Sequence, residues 1–229
     1  MKTIGLLGGI CWKSTITYYQ IINRYVNKKL GDSNSAKCII YSVSFQPIED
    51  LLADNNLSGC APILCEGAKC LESAGADFIV ICSNTMHANI DKIKEAVSIP
   101  VLHIAEVIAL ELIKNGIKKV GLIGTRFTME ENFYKTILEK HGIEVSVPDE
   151  SARKKIDEII MYELCREKFK KESKEFYLSV IDKLYFGGAQ GVILGCTEIG
   201  LLIKQEDTAV LLFDTAKIHA ESAAAVSLK

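Results

Sequence analysis

The sequence predicts an α/β fold made of two pseudo-symmetric units, each built on a parallel sheet. Three observations carry this. Short apolar runs ending in Gly or polar residues recur along the chain. Helix-length segments rich in charge separate them. The same strand ends also appear twice at nearly one offset, and near-continuous apolar strands alternating with helices indicate parallel sheets covered on both faces. With 229 residues at 48% hydrophobic content, the chain can bury a core in each unit.

In chain order the predicted strands are TIGLLGG (3–9), KCIIYSV (37–43), DFIVICS (77–83), IPVLHIA (99–105), KVGLIGT (119–125), IEVSVP (143–148), GVILGCT (191–197) and VLLFDT (210–215). Segments 14–29, 58–74, 106–115, 129–141 and 150–185 carry helical periodicity between them. At the start of the first of these helices, Ser14 or Thr15 is the expected cap. TIGLLGG lies 116 positions before KVGLIGT, and VLHIAEV lies 110 before LLFDTAK. GADFIVICSNT, from Gly75, matches GAQGVILGCT, from Gly188, at an offset of 113. That offset places Ser83 on Cys196. The expected domains are 1–104, completed by 212–229, and 105–211.

Composition narrows the function. A formal net charge of −2 with no basic block argues against nucleic acid. No apolar stretch reaches the ~18 residues of a membrane span, and Lys13 interrupts the short apolar run at the start. The reading is a soluble, cytoplasmic protein. The eight cysteines form no C-x-x-C pair, and Cys60, Cys65 and Cys70 stand five apart, too far rotated on a helix to share a metal. A single cysteine is by default a small buried hydrophobe. Cys82 fits that default, because a strand running through it turns its side chain away from that of Ser83.

Open parallel sheets bind ligands beyond the carboxyl ends of their strands. Gly8–Gly9, Ser83–Thr85, Gly124–Thr125 and Cys196–Thr197 lie at such ends. Backbone N–H groups at the helix starts that follow suit a carboxylate. A thiol and a hydroxyl on either side of such a carboxylate could remove a proton from one face of a carbon and return one to the other. The helix start is expected to lower the thiol pKa and make the thiolate accessible. GLLGG lacks the G-x-G-x-x-G spacing of a dinucleotide site.

GGICWKST (8–15), CSNTMH (82–87), GTRFTMEENFY (124–134) and GCTEIG (195–200) resemble, in order and spacing, the aspartate/glutamate racemase superfamily. The resemblance covers essentially the whole chain. It implies cofactor-independent amino-acid racemisation, with the active site in the cleft between two α/β domains. It also implies a homodimer and no metal, pyridoxal phosphate or nucleotide. Two cysteines, one per domain, would exchange protons with the α-carbon of aspartate, glutamate or another small amino acid. The second is Cys196, and at the first position this chain has Ser83. Similar one-cysteine members suggest unequal turnover in the two directions, with the L enantiomer the faster.

Further residues come from the same resemblance. Asn84, Thr85, Met86, Thr125, Thr197, Gly9 and Trp12 are expected to contact substrate, and Lys155 to bind a carboxylate. The arginine that members acting on acidic substrates carry in the region of SFQPIEDLLADNN (44–56) is absent, which leaves Arg126 as a second cation. Cys11 reads as a neighbour of the site, His87 as structural, and Asp214 and His219 as a cap and a surface residue. The rivals are a sister isomerase or decarboxylase of the same superfamily, and a catalytically weak amino-acid-binding protein.

Overall fold

The computed structural model describes all residues, Met1–Lys229. In chain order its elements are β1 (Ile4–Gly8), α1 (Trp12–Leu30), β2 (Cys38–Ser42), α2 (Gln46–Ala53), α3 (Ala61–Ser73), β3 (Phe78–Ile81), α4 (Ile90–Ala96) and β4 (Val101–Leu102). Next come α5 (Ile104–Lys114), β5 (Lys119–Gly124), α6 (Arg126–Glu130), α7 (Asn132–Lys140), β6 (Glu144–Ser146) and α8 (Glu150–Tyr162). The chain closes with α9 (Lys171–Phe186), β7 (Val192–Gly195), α10 (Ile199–Leu202), β8 (Leu212–Asp214) and α11 (Thr215–Ser227). No helix is long and apolar enough to cross a membrane.

Two compact units result, one from 1–104 with 216–229 and the other from 105–215. Residues 212–215 therefore belong to the second unit rather than the first, because β8 pairs in parallel with β7. Each unit holds a four-stranded parallel sheet, ordered β2-β1-β3-β4 in the first and β6-β5-β7-β8 in the second. The internal repeat is preserved in the pairing: Leu7 stands opposite Ile81, and Ile123 opposite Leu194. The repeated Gly-Ala pairs have a local cause. Gly75 and Gly188 end α3 and α9 with φ of 91° and 96°, a left-handed conformation that glycine adopts without a Cβ clash. The alanine amides that follow return to the carbonyls of Leu71 and Leu184.

In the first unit the strands bury both faces, as alternation requires. Leu7, Ile79 and Ile81 pack with Leu64, Ala68 and Leu71 of α3. On the other face Ile4, Leu6, Phe78, Val80 and Cys82 meet Tyr18, Ile22 and Val26 of α1 and the small face of α11, including Ala216 and Ala220. In the second unit Ile123, Val192 and Leu194 meet Ile156 and Ile160 of α8 and Tyr177 and Ile181 of α9, and Leu122 and Ile193, which alternate with them, are fully buried as well.

Several boundaries differ from the periodicity. The strand expected over 99–105 is two residues long, because Ile104 already begins α5. The helix expected over 150–185 is two helices, separated by a 3-10 turn at Leu164–Arg166 and by Glu167 at φ 56°. The helix over 129–141 breaks at Glu131, which is extended. Helices α2, α4 and α11 lie outside the predicted segments. The first two are short, and α11 buries alanines rather than a strong apolar stripe.

Candidate active site

At the end of β3 the Cys82 amide donates to the Leu7 carbonyl at 2.9 Å, which extends the pairing by one residue. The Cys82 side chain is fully buried in the core beneath α1, and burial pushes its thiol pKa up. Ser83, the next residue, is 7% exposed. A 3-10 turn at Thr85–Asn89 follows it, and Asn84 and Thr85 are buried there. Met86 is fully buried among the α3 and β3 residues.

The loop after β1 is built on Gly9, whose φ is 87° and whose missing Cβ makes room for the backbone of Val43. Its amide donates to the Thr15 hydroxyl at 2.8 Å. Thr15 and Ser14 lie inside α1, which begins at Trp12 with no side-chain cap, so neither is the expected N-cap. Trp12 is 55% exposed and carries the Lys13 ammonium over its ring at 5.5 Å. Cys11 is buried.

In the second unit β7 ends at Gly195, and Cys196 is 8% exposed. Its thiol donates to Glu198 Oε2 at 3.0 Å, and the Thr197 hydroxyl donates to the same oxygen at 2.6 Å. Glu198 is itself buried. The thiol pKa is raised well above its ordinary value, first by burial and then by the charge and hydrogen bond of Glu198. Backbone N–H groups of Glu198 and Ile199 pull the other way, as a helix start should, and are outweighed. The expectation of a lowered thiol pKa is therefore corrected. Helix α10 has four residues, too few for its dipole to overcome a neighbouring carboxylate in a buried setting.

Thr125 follows β5 and caps α6, its hydroxyl accepting from the Thr128 amide at 3.4 Å. The neighbouring Arg126 amide donates to Asp157 of α8 at 2.8 Å, and burial raises the pKa of that carboxyl. Lys155 lies on the exposed side of α8, and its charge helps to hold down the Glu163 pKa. The Arg126 guanidinium lies over the Phe127 ring at 4.8 Å.

Ser83 and Cys196 are equivalent in the two sheets: each stands two residues beyond the strand position paired with Leu7 or Ile123. The family model of the Asp/Glu/Hydantoin racemases matches residues 7–223 of this chain. The chain belongs to that family. A candidate Asp/Glu racemase from Yersinia pestis has a similar crystal structure, with a TM-score of 0.91 at 47% identity over 100% of both chains. An aspartate racemase homologue from Pyrococcus horikoshii gives 0.85 at 36%, again over 100% of both. The broad specificity amino-acid racemase RacX of Bacillus subtilis is 34% identical over 62% of this chain and 63% of its own length. The chain thus spans under two thirds of the length of that relative.

Three residues of the racemase fold emerge only in three dimensions. Glu198 follows the thiol in GCTE, and its role as hydrogen-bond acceptor depends on a turn that the motif does not specify. His219 is not on the surface but fully buried, its ring bonded to Tyr18 and to the Leu102 carbonyl. His87 stands four residues after Ser83, a spacing that one helical turn converts into contact, and it holds the Ser83 carbonyl at 2.7 Å. Asp214, read as a cap, ends β8 directly before α11 and packs against Gly200.

Proposed function

We propose that the chain is an amino-acid racemase that works without a cofactor on a small amino acid, with aspartate and glutamate the first candidates. In this reading Cys196 and Ser83 attend opposite faces of the substrate α-carbon. The observation that carries it is their equivalence: a hydroxyl and a thiol stand at the same register beyond the two sheets, and both are almost wholly shielded from water.

The geometry around Cys196 suggests how the thiolate forms. The thiol already donates to Glu198, so its proton can pass to Oε2 along that bond. The pair carries one negative charge before and after the transfer. Burial therefore opposes it less than it opposes ionisation of the thiol to water, which would place a second charge beside Glu198. The thiolate then takes the α-proton, and Ser83, or a water it holds, reprotonates the other face; before the next turnover the protonated Glu198 releases its proton to solvent and Ser83, or its water, regains one from solvent. A serine has no thiolate form to offer in the reverse sense, so the two directions have unequal turnover numbers. Asn84 and Thr85 follow Ser83 in the chain and Thr197 follows Cys196, so the reading gives them substrate contacts, and Lys155 or Arg126 supplies the cation for a side-chain carboxylate.

The test is α-deuterium incorporation in heavy water, screened over both enantiomers of the common amino acids with the parent and Cys196→Ala. The reading expects exchange for at least one acidic amino acid and its loss in the variant. Exchange at the parental rate in Cys196→Ala would remove the thiol from the reaction.

A further inference from the structure

The first unit buries two neighbouring histidines, His87 and His219, whose proton positions are fixed by their partners. His219 Nε2 faces the Leu102 carbonyl at 3.0 Å, an acceptor only, so that nitrogen carries the proton. His219 Nδ1 then accepts from the Tyr18 hydroxyl at 2.9 Å. On the facing ring, His87 Nδ1 lies 2.7 Å from the Ser83 carbonyl and must donate to it. Its Nε2 accepts from the Ile104 amide at 3.2 Å. The rings of His87 and His219 meet edge-on at 5.7 Å, and His103 lies 5.0 Å from His87.

Both nitrogens of His87 are thus committed to backbone groups, and the ring is fully buried. Burial, with the neighbouring histidine opposing a second charge, pushes its pKa down to about 3, so the ring stays neutral. It cannot serve as the base that activates Ser83. What it can do is fix the peptide between Ser83 and Asn84. In the turn after β3 the His87 amide also donates to the Asn84 carbonyl at 3.1 Å. Ser83 lies past the last β3 residue, so the sheet ladder does not fix its carbonyl. The ring joins that carbonyl to Ile104, the last residue before the chain passes into the second unit.

We propose that His87 is a positioning residue for the racemase reaction: it grips the Ser83 carbonyl with one ring nitrogen and the Ile104 amide with the other, and so holds the Ser83 hydroxyl in place for proton transfer without exchanging a proton itself. The proposal rests on the reading of Ser83 as the second proton-transfer group.

Two substitutions separate the two bonds. His87→Asn keeps a donor near the Nδ1 position and loses the acceptor for Ile104. His87→Gln reaches the Nε2 position and loses the donor to Ser83. The readout is a ratio taken in heavy water from the enantiomer that Cys196 deprotonates: deuterium in inverted product against deuterium in recovered substrate of unchanged hand. Retention reports Cys196 alone, so the ratio does not depend on how much protein is folded. His87→Gln should lower it by roughly 10²-fold, as expected for a reacting group displaced by about an ångström, while His87→Asn stays close to the parent. Ser83→Ala is measured alongside. If Ser83→Ala lowers the ratio and His87→Gln does not, His87 does not position the serine and only this proposal falls. If Ser83→Ala leaves the ratio unchanged, the reading of Ser83 falls and takes the proposal with it. Equal ratios in both His87 variants, or loss of the fold in both, would show a purely structural role and overturn the proposal.

Discussion

Replacing Glu198 by glutamine separates two effects that the carboxylate has on Cys196. Its charge opposes the thiolate and helps to raise the thiol pKa, while its Oε2, 3.0 Å from the sulfur, is the only group shown receiving the thiol proton. With reference pKa values of about 8.5 for a thiol and about 4.3 for Glu, moving the proton from sulfur to oxygen costs about 4 pK units, or about 6 kcal/mol. An entering α-ammonium group would offset part of this by favouring the thiolate. Glutamine keeps the shape and an accepting oxygen but cannot take the proton. The thiol pKa should then fall, since the charge that is the second cause of its rise is gone, while burial, the first cause, still holds it above its ordinary value. Exchange of the α-proton should nonetheless drop by roughly 10²–10⁴-fold, the loss expected for a positioned general base. The assay pairs α-deuterium incorporation with an ultraviolet titration of the thiolate. If exchange at neutral pH instead rises as the thiolate population rises, Glu198 is only an electrostatic brake and the proton route through it is wrong.

Other outcomes follow from the same geometry. Lys155→Ala should raise the Michaelis constant for a dicarboxylic substrate by roughly ten- to a hundred-fold, the worth of one charge-assisted contact, and leave a neutral substrate little changed; equal effects would show that Lys155 does not read the side-chain carboxylate. Cys82→Ala should cost about 1 kcal/mol or more of stability, because it opens a small cavity in a packed core, yet leave exchange intact; a loss of exchange in folded protein would give Cys82 a part in the chemistry. His87 and His219 both titrate at about 3 in the folded protein, below their ordinary 6.5. As pH falls below about 6.5 the unfolded chain takes up these protons first, so the stabilisation present above that pH is lost toward pH 3, at about 1.4 kcal/mol per pH unit per histidine. Urea unfolding at pH 7 and pH 5 should show a shallower loss for His219→Gln than for the parent, and equal losses would contradict the assigned burial.

Much of the fold is legible in the sequence because strand and repeat signals are local. TIGLLGG and KVGLIGT sit at the same place in two sheets of the same order, and the Gly-Ala pairs repeat because both helices close with a left-handed glycine. Ends set by tertiary contact were not legible. Helix α11 presents alanines whose packing against β1 and β3 is invisible in a periodicity, and β4 is cut short by the helix that begins at Ile104. The site divides in the same way. The motifs single out Ser83 and Cys196 by position. The direction of the thiol pKa shift depends on a buried glutamate two residues on, and burial outweighs the helix-start effect that sequence reasoning favoured. Met86 lies in a motif, and its burial in the core at the 3-10 turn after β3 is not legible there.

The most direct test of the account is a pair of initial rates, from each pure enantiomer, for the parent and for Ser83→Cys. The equilibrium constant of a racemisation is one, so kcat/KM must be equal in both directions, and any asymmetry appears as kcat and KM moving together. The account predicts unequal kcat values in the parent. It also predicts that a thiol at position 83 raises the slower kcat most, by roughly the 10²–10⁴-fold of a positioned general base. Equal kcat values in the parent, left unchanged in both directions by Ser83→Cys, would show that Ser83 is not the partner of Cys196.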